Sequence, residues 1–421
     1  MKKLLILLIL SQVFQNLIAQ SHTSSNTPAI LPGAYQIKEY LPLLKGKRVG
    51  VFANNTSMVG NTHLVDTLQK LGITITKIFG PEHGFRGKAD AGEQVDSYID
   101  SLTGVKVISL YGKKTKPTPA DLADIDILVF DIQDVGARFY TYISSLQDFL
   151  ESAIKNDKPL IILDRPNPNG FYVDGPVLDS NYKSFVGMQP IPVVYGMTLG
   201  EYAKMLLGEQ WLPWHIIRKQ DKKITIGDVL GFEYKDSSFQ LIVIPCRNYT
   251  HKSRYILPVK PSPNLADMPS VYWYPSTCFF EGTVLSEGRG TEHPFAIFGH
   301  PSLPDTLFKF IPYVTEGAKD PKFKGQVCYG WNIINEPQPK RIELKWVLQA
   351  YRLFGDKGSF FTRTKSGPDY KYYFNLLAGS NELMQQIQQG LSESEIRKSW
   401  EPKLAAFKKI RKKYLLYPDF E

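Results

Sequence analysis

Residues 127–164 read ILVFDIQDVGARFYTYISSLQDFLESAIKNDKPLIILD, and this stretch decides the fold. Ile127-Leu128-Val129-Phe130-Asp131 is a continuous apolar run of strand length. From Tyr142 to Lys155, Ile143, Leu146, Phe149, Leu150, Ala153 and Ile154 recur at helical spacing as one apolar stripe. Leu160-Ile161-Ile162-Leu163-Asp164 is a second apolar run. Strands without polar alternation are buried on both faces, and a strand–helix–strand unit of this kind builds a parallel sheet covered by helices.

The same alternation continues outward. Upstream, Arg48 to Ala53, Thr74 to Phe79 and Val105 to Leu110 read as strands. Thr62 to Leu71 carries Leu64, Val65, Leu68 and Leu71 at helical spacing and stops at Gly72, and a short helix spans Pro119 to Ala123. Downstream, Leu241 to Pro245 is a further strand. The expected class is α/β: a Rossmann-like, mostly parallel sheet flanked by helices, with a second, smaller C-terminal α+β domain. No GxGxxG follows the first strand, so the dinucleotide fingerprint is absent.

Pro258-Val259-Lys260-Pro261-Ser262-Pro263 is proline-rich and extended, which sets a boundary between a domain at 45–255 and one at 256–421. The second part holds the Phe279 to Thr291 segment and ends in a basic helix from Ser392 to Lys413. At the N-terminus, Lys2 and Lys3 precede the apolar run Leu4 to Leu10, and Leu17-Ile18-Ala19 offers a cleavage site before Gln20. This is the pattern of a signal peptide over residues 1–19, too short for a membrane span, with a lead-in at 20–44. The expected location is therefore periplasmic or secreted, with no integral membrane segment after removal.

The chain has 421 residues and a formal charge of +9, of which Lys2 and Lys3 account for two. A moderate basic excess suits an anionic wall polymer or substrate as well as plain solubility. No Lys/Arg block or nucleic-acid motif is present, which excludes a DNA- or RNA-binding role. Cys246, Cys278 and Cys328 are odd in number and widely spaced; they fit buried thiols better than a zinc site, and one disulfide stays open.

In open parallel sheets, ligands sit outside the carboxyl ends of the strands. Four strand ends here carry polar groups beyond what a loop needs: Asn54 after the first strand, Glu82-His83 with Arg86 after the second, and two more. The fourth strand runs into Asp131, Asp134, Arg138, Tyr140 and Tyr142; the fifth ends in Asp164-Arg165-Pro166-Asn167-Pro168-Asn169-Gly170. Singly, each has a structural reading: Asp134 or Asn169 as a cap or turn residue, Arg138 paired with Asp131 or Asp134, the tyrosines as lining. Together they point to one site. The second domain adds Glu281, Glu287 and Arg289 beside glycines that bring the backbone close. Glycosidic cleavage needs one carboxylic acid to protonate the leaving oxygen and a second group to meet the oxocarbenium centre. Glu82, rigidly held in its turn, suits the acid.

Pro81-Glu82-His83-Gly84-Phe85-Arg86-Gly87, Asp131 to Tyr142, Asp164 to Gly170 and Glu281 to Thr291 together resemble the NamZ family of exo-β-N-acetylmuramidases. The likeness covers roughly residues 45 to 421. It implies a cleft between two domains and release of terminal β-1,4-linked N-acetylmuramic acid (MurNAc) from the non-reducing end of peptidoglycan fragments, without metal or cofactor. It places the family's catalytic Glu on Glu82; the second catalytic group stays open among Glu281, Glu287, Asp131 and an arrangement assisted by His83. The lactyl carboxylate of that sugar calls for a planar cation, offered by Arg86, Arg138, Arg165 or Arg289, with Arg138 and Arg289 preferred. Asn54, Asn167 and Asn169 suit hydroxyls and the acetamido group. Two other readings remain: a metal-dependent wall hydrolase using His83, Asp131, Asp134 and Asp164, and a non-catalytic glycan-binding protein.

Overall fold

A computed structural model describes residues 28–87, 90, 92–93, 96–213, 224–228, 239–364 and 371–421. The expected signal peptide lies outside the described residues. From Leu31 to Glu421 the chain forms one compact unit. Part of the expected lead-in belongs to it: Gly33 donates to the carbonyl of Asp164, and helix α1 (Ile37–Leu44) buries Tyr40 and Leu44.

The strands in chain order are β1 (Arg48–Ala53), β2 (Met58–Val59), β3 (Thr62–His63), β4 (Thr74–Gly80), β5 (Tyr98–Ile99), β6 (Lys106–Ser109), β7 (Ile127–Asp131), β8 (Leu160–Leu163), β9 (Ile224–Asp228) and β10 (Phe239–Ile244). All but the small β2–β3 pair join one sheet in the order β5-β6-β4-β1-β7-β8-β10-β9. Every pairing in it is parallel except β5 with β6.

The continuous apolar strands are explained by two cores, one on each face. Val49, Val51, Ile127, Val129, Ile161 and Leu163 point to one side, with Leu64, Val65 and Leu68 of helix α2 (Leu64–Lys70). Phe52, Leu128, Phe130, Leu160 and Ile162 point to the other. After the short α3 (Pro119–Leu122), the long α4 (Tyr142–Lys155) covers this second face. Its Phe149 packs on Phe52 and Phe79 with ring centroids 5.0 and 5.4 Å apart. Truncating such a ring typically costs about 3–5 kcal/mol. The next helix, α5 (Leu199–Gly208), starts with a capping box from Thr198 and Glu201 and lies on the same side.

That second core continues without a break into the C-terminal half through Phe279, Phe280, Phe374 and Trp400. There, α6 (Met268–Thr277) precedes a small antiparallel sheet of β11 (Ile297–His300), β12 (Phe308–Phe310) and β13 (Cys328–Asn332). Helices α7 (Lys345–Leu353), α8 (Tyr373–Ala378), α9 (Glu382–Gln388) and α10 (Glu393–Arg411) follow. The expected basic helix is α10, capped by Ser392 and Glu395.

The chain then returns to the first sheet. Tyr417 donates to Asp164 at 2.5 Å, and Leu416 N–H donates to Glu201 at 2.8 Å. Among the described residues, no helix is long and apolar enough to cross a membrane.

Candidate active site

Strand register brings the first elements of the site together. Gly80 at the end of β4 pairs with Ser109 at the end of β6, so Glu82 and Tyr111 each emerge two residues beyond a matched pair. On the other side of β1, Ala53 pairs with Asp131 of β7. The chain runs outward through β4 and β6 and then crosses back to β7. Such a switch point leaves a crevice beyond the carboxyl ends.

The Pro81-Glu82-His83-Gly84 turn is closed by Gly84 N–H donating to the Pro81 carbonyl at 2.9 Å. His83 takes a φ of 67°, uncommon for a residue with a Cβ, and Gly84 a φ of 74°. Fully buried Phe85 anchors the turn, its ring 4.9 Å from that of His63. Glu82 thereby meets donors on both oxygens: Thr141 Oγ1 lies 2.9 Å from Oε2, and Gly92 N–H lies 3.0 Å from Oε1. Burial pushes the Tyr111 hydroxyl well above its usual range, and the charge of Glu82, with which it hydrogen-bonds, pushes it further.

The opposite wall comes from the C-terminal half. Glu281 ends a short 3-10 turn (Cys278–Gly282) and accepts from Arg289 at 2.8 Å. The same guanidinium reaches Glu287 at 3.3 Å, and Glu287 meets Lys322 at 3.0 Å. Burial holds the Glu281 carboxyl above the ordinary carboxylate range; Arg289 pulls it back, while Glu287 and Glu82 add to the rise. Burial also opposes the charge of Glu287, but Lys322 and Arg289 outweigh it and keep that carboxyl low. Between the walls lies a cavity of about 350 Å³ whose lining includes Glu82, His83, Tyr111, Thr141, Glu281 and Arg289. Phe139, Tyr140, Phe185, Tyr274, Phe295 and Tyr373 supply aromatic surface to it.

Several expected ligands are instead struts behind the cavity. Arg138 is fully buried, donating to the carbonyls of Pro176, Ile191 and Leu377 at 2.7–2.8 Å, and burial pushes its guanidinium down to about 9. It pairs with neither Asp131 nor Asp134 and is not in the lining, which corrects the preference for it as a carboxylate reader. Arg165 is committed to Asp131 through two bonds of 2.6 and 2.9 Å, and Arg86 to Asp100 at 2.7 and 3.0 Å. Of the four candidate arginines, Arg289 is the one that reaches the cavity.

The asparagines are likewise spoken for by protein groups. Asn54 donates to Tyr142 at 2.8 Å and accepts from Thr56, tying the end of β1 to the first residue of α4. Asn167 accepts from Asn169 N–H at 2.8 Å and donates to Met197. Asn169 donates to the carbonyls of Val135 and Val271. Asp134 accepts from Gly136 N–H at 2.6 Å and from the Tyr195 hydroxyl. Tyr140 both lines the cavity and donates to Pro261 at 2.8 Å; Tyr142 stands behind it, ring centroids 4.7 Å apart.

The third strand's end, not counted among the four, contributes Tyr111. Thr141, within the Asp131 to Tyr142 segment, lines the cavity as well. Asn264 comes from the turn before α6, Tyr274 from α6, whose apolar residues are buried all round, and Tyr373 from the first position of α8; none of these carries a motif that marks it in the sequence. Among the described residues, no group of three or more His, Cys, Asp or Glu side chains gathers as a metal site. Asp131, Asp134 and Asp164 each serve separate internal partners. All three cysteines are buried free thiols.

Comparison with known proteins adds the last observation. Family models described as exo-beta-N-acetylmuramidase NamZ, N-terminal and C-terminal, match residues 49–269 and 272–417. The peptidoglycan beta-N-acetylmuramidase NamZ of Bacillus subtilis (strain 168) is 37% identical over 404 residues, covering 90% of this chain and 89% of that protein. Two DUF1343 family proteins of Bacteroides fragilis NCTC 9343 have crystal structures similar to this one. They are 42% and 29% identical, with TM-scores of 0.79 and 0.72, each covering 93% of this chain and 100% of the other.

Proposed function

The chain belongs to the NamZ family of exo-β-N-acetylmuramidases, and from that premise we propose that it is an exported glycoside hydrolase releasing MurNAc from the non-reducing end of peptidoglycan fragments. The observation that carries the reading is the pair Glu82 and Glu281, facing one cavity from opposite walls with Arg289 beside them. A volume of about 350 Å³ is near the small end of ligand pockets, roughly 300–1,000 Å³. That size favours one terminal sugar over a threaded glycan.

The two carboxyls divide the work by their surroundings. Glu281, held above the ordinary range chiefly by burial, donates a proton to the leaving oxygen. Glu82, with hydrogen-bond partners on both oxygens, faces the anomeric centre and meets the charge that develops there. This assignment moves the proton donor from Glu82, where the sequence alone suggested it, to its partner. Arg289 is positioned to read the lactyl carboxylate, and the aromatic walls to stack on the ring.

The test uses pure protein, a MurNAc-GlcNAc disaccharide and a MurNAc glycoside with an activated aryl leaving group. Glu82→Gln should lose both activities by about a thousandfold or more. Glu281→Gln should lose the disaccharide but keep much of the aryl glycoside, which needs little protonation. Full activity of Glu82→Gln would sink the central assignment.

A further inference from the structure

The N–H of Gly92 that donates to Glu82 belongs to a turn that the far half of the chain holds in place. Residues 90 and 93 close this turn on themselves: Glu93 N–H donates to the Asp90 carbonyl at 3.1 Å, and the Glu93 carboxylate accepts from Asp90 N–H at 2.8 Å. Gly92 sits within it at a φ of 78°, a conformation that a side chain strains. Lys319 grips the turn twice. Its ammonium lies 2.8 and 3.0 Å from the Glu93 oxygens, and its own N–H donates to Asp90 at 2.9 Å.

Lys319 is itself fixed to the cavity wall. It directly follows the Thr315–Ala318 hairpin, closed by bonds of 3.2 and 3.1 Å. The Gly317 carbonyl in that hairpin accepts from Asn264, a lining residue, at 2.8 Å. Gly317 leans so closely on Pro263 that a Cβ would come within 2.3 Å of it. A continuous chain of contacts therefore runs from the wall residue Asn264 through the hairpin, Lys319 and the 90–93 turn to Glu82.

We infer that Lys319 is a positioning residue for catalysis: by holding Asp90 and Glu93 against the C-terminal half, it sets the Gly92 N–H on Glu82. The inference rests on the reading of Glu82 as a reacting carboxylate. Lys319 touches no cavity surface, so its effect passes through Glu93 and Gly92 to the aim of that carboxylate. The exposed pair is worth little to global stability, yet its geometry decides whether the donor is in place when the substrate reacts.

The experiment measures kcat and KM on the MurNAc-GlcNAc disaccharide for Lys319→Ala, Glu93→Ala, the double variant and Lys319→Arg, with Glu82→Gln in parallel. Lys319→Ala and Glu93→Ala should each lower kcat about three- to tenfold, with KM within about twofold and an unchanged unfolding midpoint. The double variant should be no worse than the poorer single one, since both cut the same link. Lys319→Arg should recover most of the loss. Wild-type kcat in Lys319→Ala, or strictly additive losses, overturns the inference while an inactive Glu82→Gln leaves the reading of Glu82 standing. An active Glu82→Gln overturns that reading instead.

Discussion

Thr141 stands at the N-cap of α4 but gives its hydroxyl to Glu82, 2.9 Å away, and not to its own helix. The helix start holds without side-chain capping because the Thr141 carbonyl already accepts from Ser144 and Ser145, and thirteen of the fourteen helix residues are buried. A residue type chosen for helix ends serves here to hold the Glu82 carboxylate.

Thr141→Ala should therefore separate activity from stability. Losing a hydrogen bond to a carboxylate predicts about a ten- to hundredfold fall in kcat. Because no capping bond is lost, the unfolding free energy should change by well under 1 kcal/mol. Thr141→Ser should keep both properties. Urea titration alongside steady-state kinetics reads the two quantities on one preparation.

Arg289→Met should move the pH–rate profile. Burial raises the Glu281 carboxyl and Arg289 offsets part of that rise, so removing the cation sends it higher still. The limb that Glu281 governs then shifts toward alkaline pH. The same variant should lose preference for MurNAc over N-acetylglucosamine glycosides. A profile that moves to acid pH contradicts the arrangement.

Arg138→Met should unfold easily while leaving KM alone in whatever protein folds. It removes the guanidinium donor from the buried carbonyls of Pro176 and Leu377, and from that of Ile191, which keeps the Leu178 N–H; this predicts a loss of about 2 kcal/mol or more. Thermal melts measure the first effect and the substrate dependence of initial rates the second.

The Asp134 carboxyl, buried against Tyr195, is pushed up to about 7 by desolvation. Its folded pKa exceeds the unfolded value near 3.8, so between those limits the folded state binds more protons and stability falls as pH rises. Asp134→Asn keeps an acceptor for Gly136 and Tyr195 and removes this slope. Relative to wild type it should gain on the order of 1–4 kcal/mol between pH 4 and pH 8. Denaturant midpoints at the two pH values give the comparison directly.

The sheet was legible because burial on both faces leaves β8 and the middles of β1 and β7 continuously apolar. Helix α6 was not, since Val271, Trp273, Tyr274 and Pro275 are buried all round and leave no period to read. Glu82 was legible from its turn at a strand end. Asn54, Asn167 and Arg138 looked like ligands for a physical reason: a polar side chain that satisfies backbone groups has the same sequence signature as one that awaits a sugar. Only the positions of carbonyls tell the two apart, and those belong to residues distant in the chain.

The return of residues 416–421 to the first sheet has a bearing on how the protein is made. Asp164 waits for a tyrosine 253 positions later, and Glu201 for a backbone N–H 215 positions later. A ribosome releases the β/α half long before either partner exists. Until then this half carries two carboxylates that still lack these partners, so its last contacts close only when the C-terminus has been made.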